Sequence, residues 1–137
     1  MKATLKPIIL LFLFFGTTVG VSAENTLYDT YSDGGKSAFE RGQIAEAEKL
    51  LKAALKEAEN LNKQELILDG SVNLGKVYQS QKKYDDAEKL YLRAIEIQGK
   101  IDGPESLTVS YALSNLGLLY AEQKKYAEAE EILRREL

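Results

Sequence analysis

The sequence contains no cysteine and no histidine. Their absence removes the commonest general base, the thiol nucleophile and the best zinc ligands. It also rules out a disulfide staple and lipid attachment at an N-terminal cysteine. Carboxylate pairs remain, at Asp85-Asp86 and at Glu128, Glu130 and Glu131, but they lie in the highly charged stretches that mark a solvated helix face. A phosphate-cradling loop is lacking too, because Gly34-Gly35 has neither the strand nor the spacing that such a loop requires. These gaps point away from an enzyme and from any metal or organic cofactor.

A basic surplus is also missing. The chain has 18 Lys and Arg against 21 Asp and Glu, a formal charge of -3. Nucleic-acid binding needs clustered cations to neutralise phosphates, whereas here bases and acids alternate, as in Glu46-Ala-Glu-Lys49 and Asp85-Asp-Ala-Glu-Lys89. No nucleic-acid partner is expected.

Nor is there an apolar run long enough to span a bilayer comfortably. The stretch from Ile8 to Val21 holds about 14 residues, interrupted by Gly16, Thr17, Thr18 and Gly20, where a spanning helix wants about 20. Lys2 and Lys6 precede it and Val21-Ser22-Ala23 closes it with small residues. That layout predicts an export signal over residues 1–23, cleaved after Ala23. A retained membrane anchor is the alternative. Cleavage removes two lysines and no acid, so residues 24–137 carry a formal charge of -5. The expected location is periplasmic or secreted, and the mature chain is one small domain.

What the sequence does have is repetition. Residues 73–95 (NLGKVYQSQKKYDDAEKLYLRAI) and 115–137 (NLGLLYAEQKKYAEAEEILRREL) align without a gap at an offset of 42. They share Asn73/Asn115, Leu74/Leu116, Gly75/Gly117, Tyr78/Tyr120, Gln81/Gln123, Lys82/Lys124, Lys83/Lys125, Tyr84/Tyr126, Ala87/Ala129, Glu88/Glu130 and Arg93/Arg135. A weaker copy places Gly35, Ile44, Ala47, Leu51 and Ala54 at an offset of 40 from Gly75, Tyr84, Ala87, Tyr91 and Ala94. Self-similarity at a fixed period is the mark of a stacked array.

Each unit reads as a helical hairpin. In the second unit, Leu66, Leu68, Val72, Leu74, Val77 and Tyr78 form an apolar stripe, Gln81-Lys82-Lys83 interrupts it, and Ala87, Leu90, Tyr91, Ala94 and Ile95 resume it at three- and four-residue spacing. Asp85 and Asp86 suit the first turn of the second helix. The pattern predicts helices near 25–40, 44–61, 65–80, 84–98, 105–122 and 126–137. Gly99 is expected to stop the fourth and Pro104 to open the fifth. No strand pattern competes. Gly35 with Ala47, Gly75 with Ala87 and Gly117 with Ala129 sit twelve apart and are expected to face one another within each hairpin, with Tyr78, Tyr84 and Tyr91 filling the space around.

These residues resemble the tetratricopeptide repeat pattern: Leu74-Gly75 followed by Tyr78, then Ala87, Tyr91 and Ala94 in the second helix. The family period is about 34 residues. The longer offsets, Asn-Leu-Gly and the Gly103-Pro104 linker are similar to the kinesin light chain-like, long-repeat subtype. The resemblance implies an all-α fold, a right-handed superhelical stack of antiparallel helix hairpins with about three repeats near 28–61, 68–99 and 110–137, the last incomplete. The first unit departs from the pattern, with Gly34-Gly35 and Ala38 in place of Leu-Gly and Tyr, so its first helix is expected to be frayed or shifted.

The resemblance also implies a scaffold that binds a protein or peptide in the concave groove lined by the first helix of each unit. Asn73 and Asn115 then point into that groove, where an amide can both donate to and accept from a peptide backbone. Asp33, Lys36, Phe39, Asp69, Val72, Lys76, Gln79, Tyr111, Ser114 and Leu118 are groove candidates by position. Gly35, Ala47, Gly75, Tyr78, Ala87, Gly117, Tyr120 and Ala129 carry the packing. The third unit, with Leu133 and Leu137 near its end, is expected to self-associate or to expose an apolar face.

Overall fold

The computed structural model describes residues 26–134. The proposed export signal, the cleavage point and Leu137 lie outside the described residues. Among the described residues six helices follow one another: α1 Thr26–Glu40, α2 Ile44–Leu61, α3 Gln64–Ser80, α4 Tyr84–Asp102, α5 Leu107–Glu122 and α6 Tyr126–Arg134. Among the described residues there is no strand. Consecutive helices pack against each other as antiparallel neighbours, so three hairpins (α1–α2, α3–α4, α5–α6) stack into an all-α solenoid.

One turn is used three times inside the hairpins. Gly42, Lys82 and Lys124 each take positive φ, at 74°, 59° and 60°. The next residue's N–H then reaches back to close the preceding helix: Gln43 to the Ala38 carbonyl at 2.8 Å, Lys83 to Tyr78 at 2.9 Å and Lys125 to Tyr120 at 2.9 Å. These bonds satisfy carbonyls that a helix end would otherwise leave without partners.

Between hairpins the connections differ. Asn62, in the left-handed conformation at φ 51°, ends α2, and α3 begins at Gln64. After α4 the chain needs more residues. Gly99 does not stop this helix as expected, and α4 runs on to Asp102, where Gly103 at φ 93° turns the chain. The exposed pair Lys100–Glu96 (2.6 Å) and the Gln98–Asp102 bond lie along that extra turn. A glycine inside a helix costs only about 1 kcal/mol, less than a left-handed turn would cost any other residue at 103. Pro104 likewise lies before α5. Ser106 caps that helix instead, its hydroxyl accepting from the Val109 N–H at 3.3 Å.

Close approach within each hairpin corrects a second expectation. A Cβ built on Gly75 would lie 2.6 Å from the Tyr91 ring, one on Gly35 2.6 Å from Leu51, and one on Gly117 3.2 Å from Leu133. The residue facing each glycine is therefore the large side chain one turn beyond the alanine. Ala47, Ala87 and Ala129 are themselves buried. The first helix is also not frayed. Gly34 and Gly35 lie inside an unbroken α1, because Leu50 and Leu51 press against them where side chains would otherwise stand.

The core runs along the seam of the stack. Tyr28, Ala38, Leu51, Ala54, Ala58, Ile67, Leu74 and Val77 form the larger buried cluster, joining units 1 and 2. Ala87, Tyr91, Leu116 and Leu119 form the smaller one, joining units 2 and 3. Burying each large apolar side chain contributes about 1.5–3 kcal/mol.

Candidate functional site

The first helices α1, α3 and α5 lie side by side, and the furrows between them form two hollows. One, of about 250 Å³, lies between α3 and α5 over a floor from α4 that includes Ala94 and Gln98. The other, of about 270 Å³, lies between α1 and α3 over Leu51. Asn73 and Lys76 line both, since α3 is the ridge between them.

Asn73 and Asn115 reach the same hollow, the one between α3 and α5. Their Nδ2 atoms are buried and have no hydrogen-bond partner. A buried donor without an acceptor costs about 1–3 kcal/mol, so these two amides are the unsatisfied polar groups beside this hollow. Lys76 stands close by with no acidic partner among the described residues. Tyr111 is 64% exposed and Leu118 60%, and with Leu107 at 90% they give α5 an apolar stripe open to solvent.

Of the other candidates, Asp69 and Val72 also line the α3–α5 hollow and Lys36 and Phe39 the α1–α3 hollow, and several make contacts within the fold. Asp69 accepts from the Tyr28 hydroxyl at 2.6 Å and the Ser32 hydroxyl at 3.4 Å, and pairs with Lys36 at 3.3 Å. Both Lys36 and Asp69 are therefore engaged across the α1–α3 furrow. Burial, reinforced by Asp69, pushes the Tyr28 hydroxyl well above its ordinary range, so it stays a donor. Gln79 accepts from the Tyr91 hydroxyl at 2.8 Å and donates to Glu122 at 2.7 Å. Its amide ties three helices together. Phe39 packs on the larger core cluster. Ser114 donates to the Ser110 carbonyl of its own helix, Val72 is half-buried, and Asp33 is exposed.

Sequence reasoning did not single out a latch between α2 and the turn of the next unit. Glu48 of α2 accepts from Gln81 at 2.7 Å and Lys83 at 3.2 Å, both in the turn of the following unit, and from Lys52 on its own helix at 2.5 Å. The bond from Lys52, then that from Gln81, holds its carboxyl at about 2. Lys52 and Lys83 also lie over the Tyr78 ring, 5.7 and 5.3 Å from its centre. The next unit repeats the arrangement in part: Tyr120 donates to Glu88 at 2.8 Å and Lys125 lies over the Tyr120 ring at 5.6 Å. Burial, then the bond to Glu88, pushes the Tyr120 hydroxyl up to about 12. The signal was available, since Glu88/Glu130, Gln81/Gln123 and Lys83/Lys125 all recur at the same offset.

Among the described residues no group of acids could hold a metal ion, and no helix is long and apolar enough to cross a membrane. No curated protein matches the sequence. Solved structures do match in fold. The crystal structure of BtubC (BKLC) from P. vanneervenii aligns over 96% of this chain with a TM-score of 0.78 and 22% identity. This chain covers 52% of that protein, about half its length. The TPR domain of Arabidopsis FLU aligns over 80% of the chain and 90% of the domain, with a TM-score of 0.72 and 18% identity. The tetratricopeptide repeat family model matches residues 66–137. With the repeated turns, the glycine-centred hairpins and the stacked helix pairs already described, that match identifies the chain as a member of the tetratricopeptide repeat family.

Proposed function

We propose that this chain is an exported, non-catalytic scaffold that holds an extended segment of a partner polypeptide in the furrow between α3 and α5. Tetratricopeptide repeats are protein-interaction scaffolds, and the narrower reading rests on one observation. Asn73 and Asn115, whose buried amide nitrogens have no partner among the described residues, both line a single hollow. Successive units of a solenoid set equivalent residues in a row, so peptide carbonyls of an extended chain can accept from each in turn. Lys76 supports a carboxylate-bearing segment, and Tyr111 and Leu118 support apolar side chains beside it. The non-catalytic part rests on a composition without His or Cys, and the exported part on residues 1–23.

Affinity capture with residues 24–137 and mass spectrometry would identify the partner. Titration calorimetry on Asn73→Ala/Asn115→Ala then tests the site. A net hydrogen bond contributes about 0.5–1.5 kcal/mol, so the pair should weaken binding by roughly 1–3 kcal/mol with helicity unchanged. Unchanged affinity would show the asparagines to be passive. N-terminal sequencing of the exported protein should begin at Glu24, and a start at Met1 would refute cleavage.

Self-association through the third unit is a second reading, favoured by exposure at one repeat position. Leu51 and Tyr91 are each 1% exposed, while Leu133 at the same position is 43% exposed.

A further inference from the structure

We infer that the chain stacks head to tail on a second copy of itself, the α1 face of one copy docking on the α6 face of the other as one unit docks on the next inside the chain. The inference rests on the self-association reading and specifies its surfaces. Three independent equivalences within the repeat support it.

The first concerns the leading face of a unit. Leu27, Ile67 and Val109 occupy one repeat position. Ile67 and Val109, each with a unit in front of it, are 5% and 4% exposed, whereas Leu27 is 48% exposed. On the trailing face, Tyr91 packs with Leu116 and Leu119 of the unit that follows it, and its counterpart Leu133 is open. An apolar residue thus waits on each of the two faces that internal stacking would cover.

The second equivalence is the latch. Glu130 stands where Glu48 and Glu88 stand. It is held by Arg134 one turn on, at 2.5 Å, just as Glu48 is held by Lys52. It borders a shallow hollow of about 230 Å³ with Ala127, Glu131 and Arg134. Inside the chain, Glu48 receives donors from the next unit's turn, and Glu88 receives one from Tyr120 of the next unit's first helix.

The third equivalence supplies that donor. Arg41 occupies the position of Gln81, in a turn with the same positive φ at its centre and the same closing hydrogen bond. It is exposed, and among the described residues its side chain bonds Ser37 and Gln43 of its own surroundings. Stacking a second copy in the internal register brings the Arg41 guanidinium to Glu130. The amide-to-carboxylate bond of Gln81 and Glu48 becomes an ion pair of opposite charges, and both leucines leave water. Because the two faces differ, the contact is heterologous and does not close at a dimer.

Sedimentation velocity on the full chain over a concentration series tests this. The weight-average mass should rise with concentration and pass the dimer without a plateau. Arg41→Glu alone and Glu130→Arg alone each place like charges opposite one another and should weaken association about tenfold. Leu27→Lys should weaken it as well. An equimolar mixture of Arg41→Glu and Glu130→Arg should associate like the unaltered chain, since each variant offers the charge the other lacks. All these positions are exposed, and circular dichroism should report unchanged helicity. If the unaltered chain associates but the single variants match it, or if mixing restores nothing, the head-to-tail contact is wrong while self-association stands. A chain that stays monomeric at its highest soluble concentration overturns both.

Discussion

Between units 1 and 2 the stack is tied at both ends, while between units 2 and 3 part of the seam stays open. In the first junction Asp69 gathers Tyr28, Ser32 and Lys36, and Glu48 gathers Gln81 and Lys83. Arg93 adds a bridge to Glu59 at 2.6 Å. In the second junction the position of Asp69 is held by Tyr111, which is largely exposed, and the polar ties include Gln79 to Glu122, Tyr120 to Glu88 and Thr108 to Asp102. The repeat pattern is the same, yet the residues at equivalent positions hold the stack together in one furrow and leave donors and apolar surface free in the other. A ligand has more to gain in the second.

The largest expected effect tests whether the second junction is structural at all. Tyr91 is 1% exposed, fills the space that Gly75 leaves and bonds Gln79. Tyr91→Ala should cost about 3–5 kcal/mol in a urea unfolding experiment. A loss below about 1 kcal/mol would mean that the smaller cluster contributes little. A smaller effect should separate the two junctions at one repeat position. Asp69→Ala leaves the buried Tyr28 hydroxyl without its acceptor and should cost about 1–3 kcal/mol, whereas Tyr111→Ala, on the open side, should stay within about 0.5 kcal/mol. Equal losses would erase the contrast.

Acid should act through the first junction too. The Glu48 carboxyl, ordinarily near 4.5, is held at about 2 by Lys52, Gln81 and Lys83. Its ionised form is favoured by folding, so its contribution is complete above about pH 4.5 and fades as the pH falls toward 2. Glu48→Gln should lower stability near neutral pH by about 1 kcal/mol and flatten the decline of the melting temperature over that acid window. A decline as steep as in the unaltered chain would place the acid sensitivity elsewhere. The smallest effect on stability is expected for Tyr111→Ser/Leu118→Ser, within about 0.5 kcal/mol by thermal melting, although the same pair should weaken partner binding.

The helix pairs and their order were legible because apolar spacing and the Asn-Leu-Gly copies survive in the residues themselves. Asn73 and Asn115 stood out for the same reason, as a repeated offset within one chain, and both line one hollow. Less legible was the end of α4. Gly99 carries the usual stop signal, but the positive φ is needed four residues later, at Gly103, where the following Pro104 disfavours helix. The partner of Gly75 was misread because twelve-residue spacing finds the alanine, whereas the large Tyr91 side chain reaches back one further turn to cover the gap. Lys36, Asp69 and Gln79 were placed near the groove by position alone. Their engagement with Tyr28, Tyr91 and Glu122 depends on helices brought together only by stacking.

The turn at Gly42, Lys82 and Lys124 matters to anyone who would lengthen or shuffle this array. A left-handed residue other than glycine costs roughly 1–2 kcal/mol, and two of the three turns accept that cost with lysine. Replacing Lys82 with glycine relaxes the backbone but also loosens the unfolded chain, and it leaves the neighbouring Gln81 and Lys83 to aim at Glu48 from a softer hinge. The lysine turns therefore work as stiff couplings and the glycine turn as a compliant one. A longer protein assembled from copies of unit 2 should hold its curvature more tightly than one assembled from copies of unit 1.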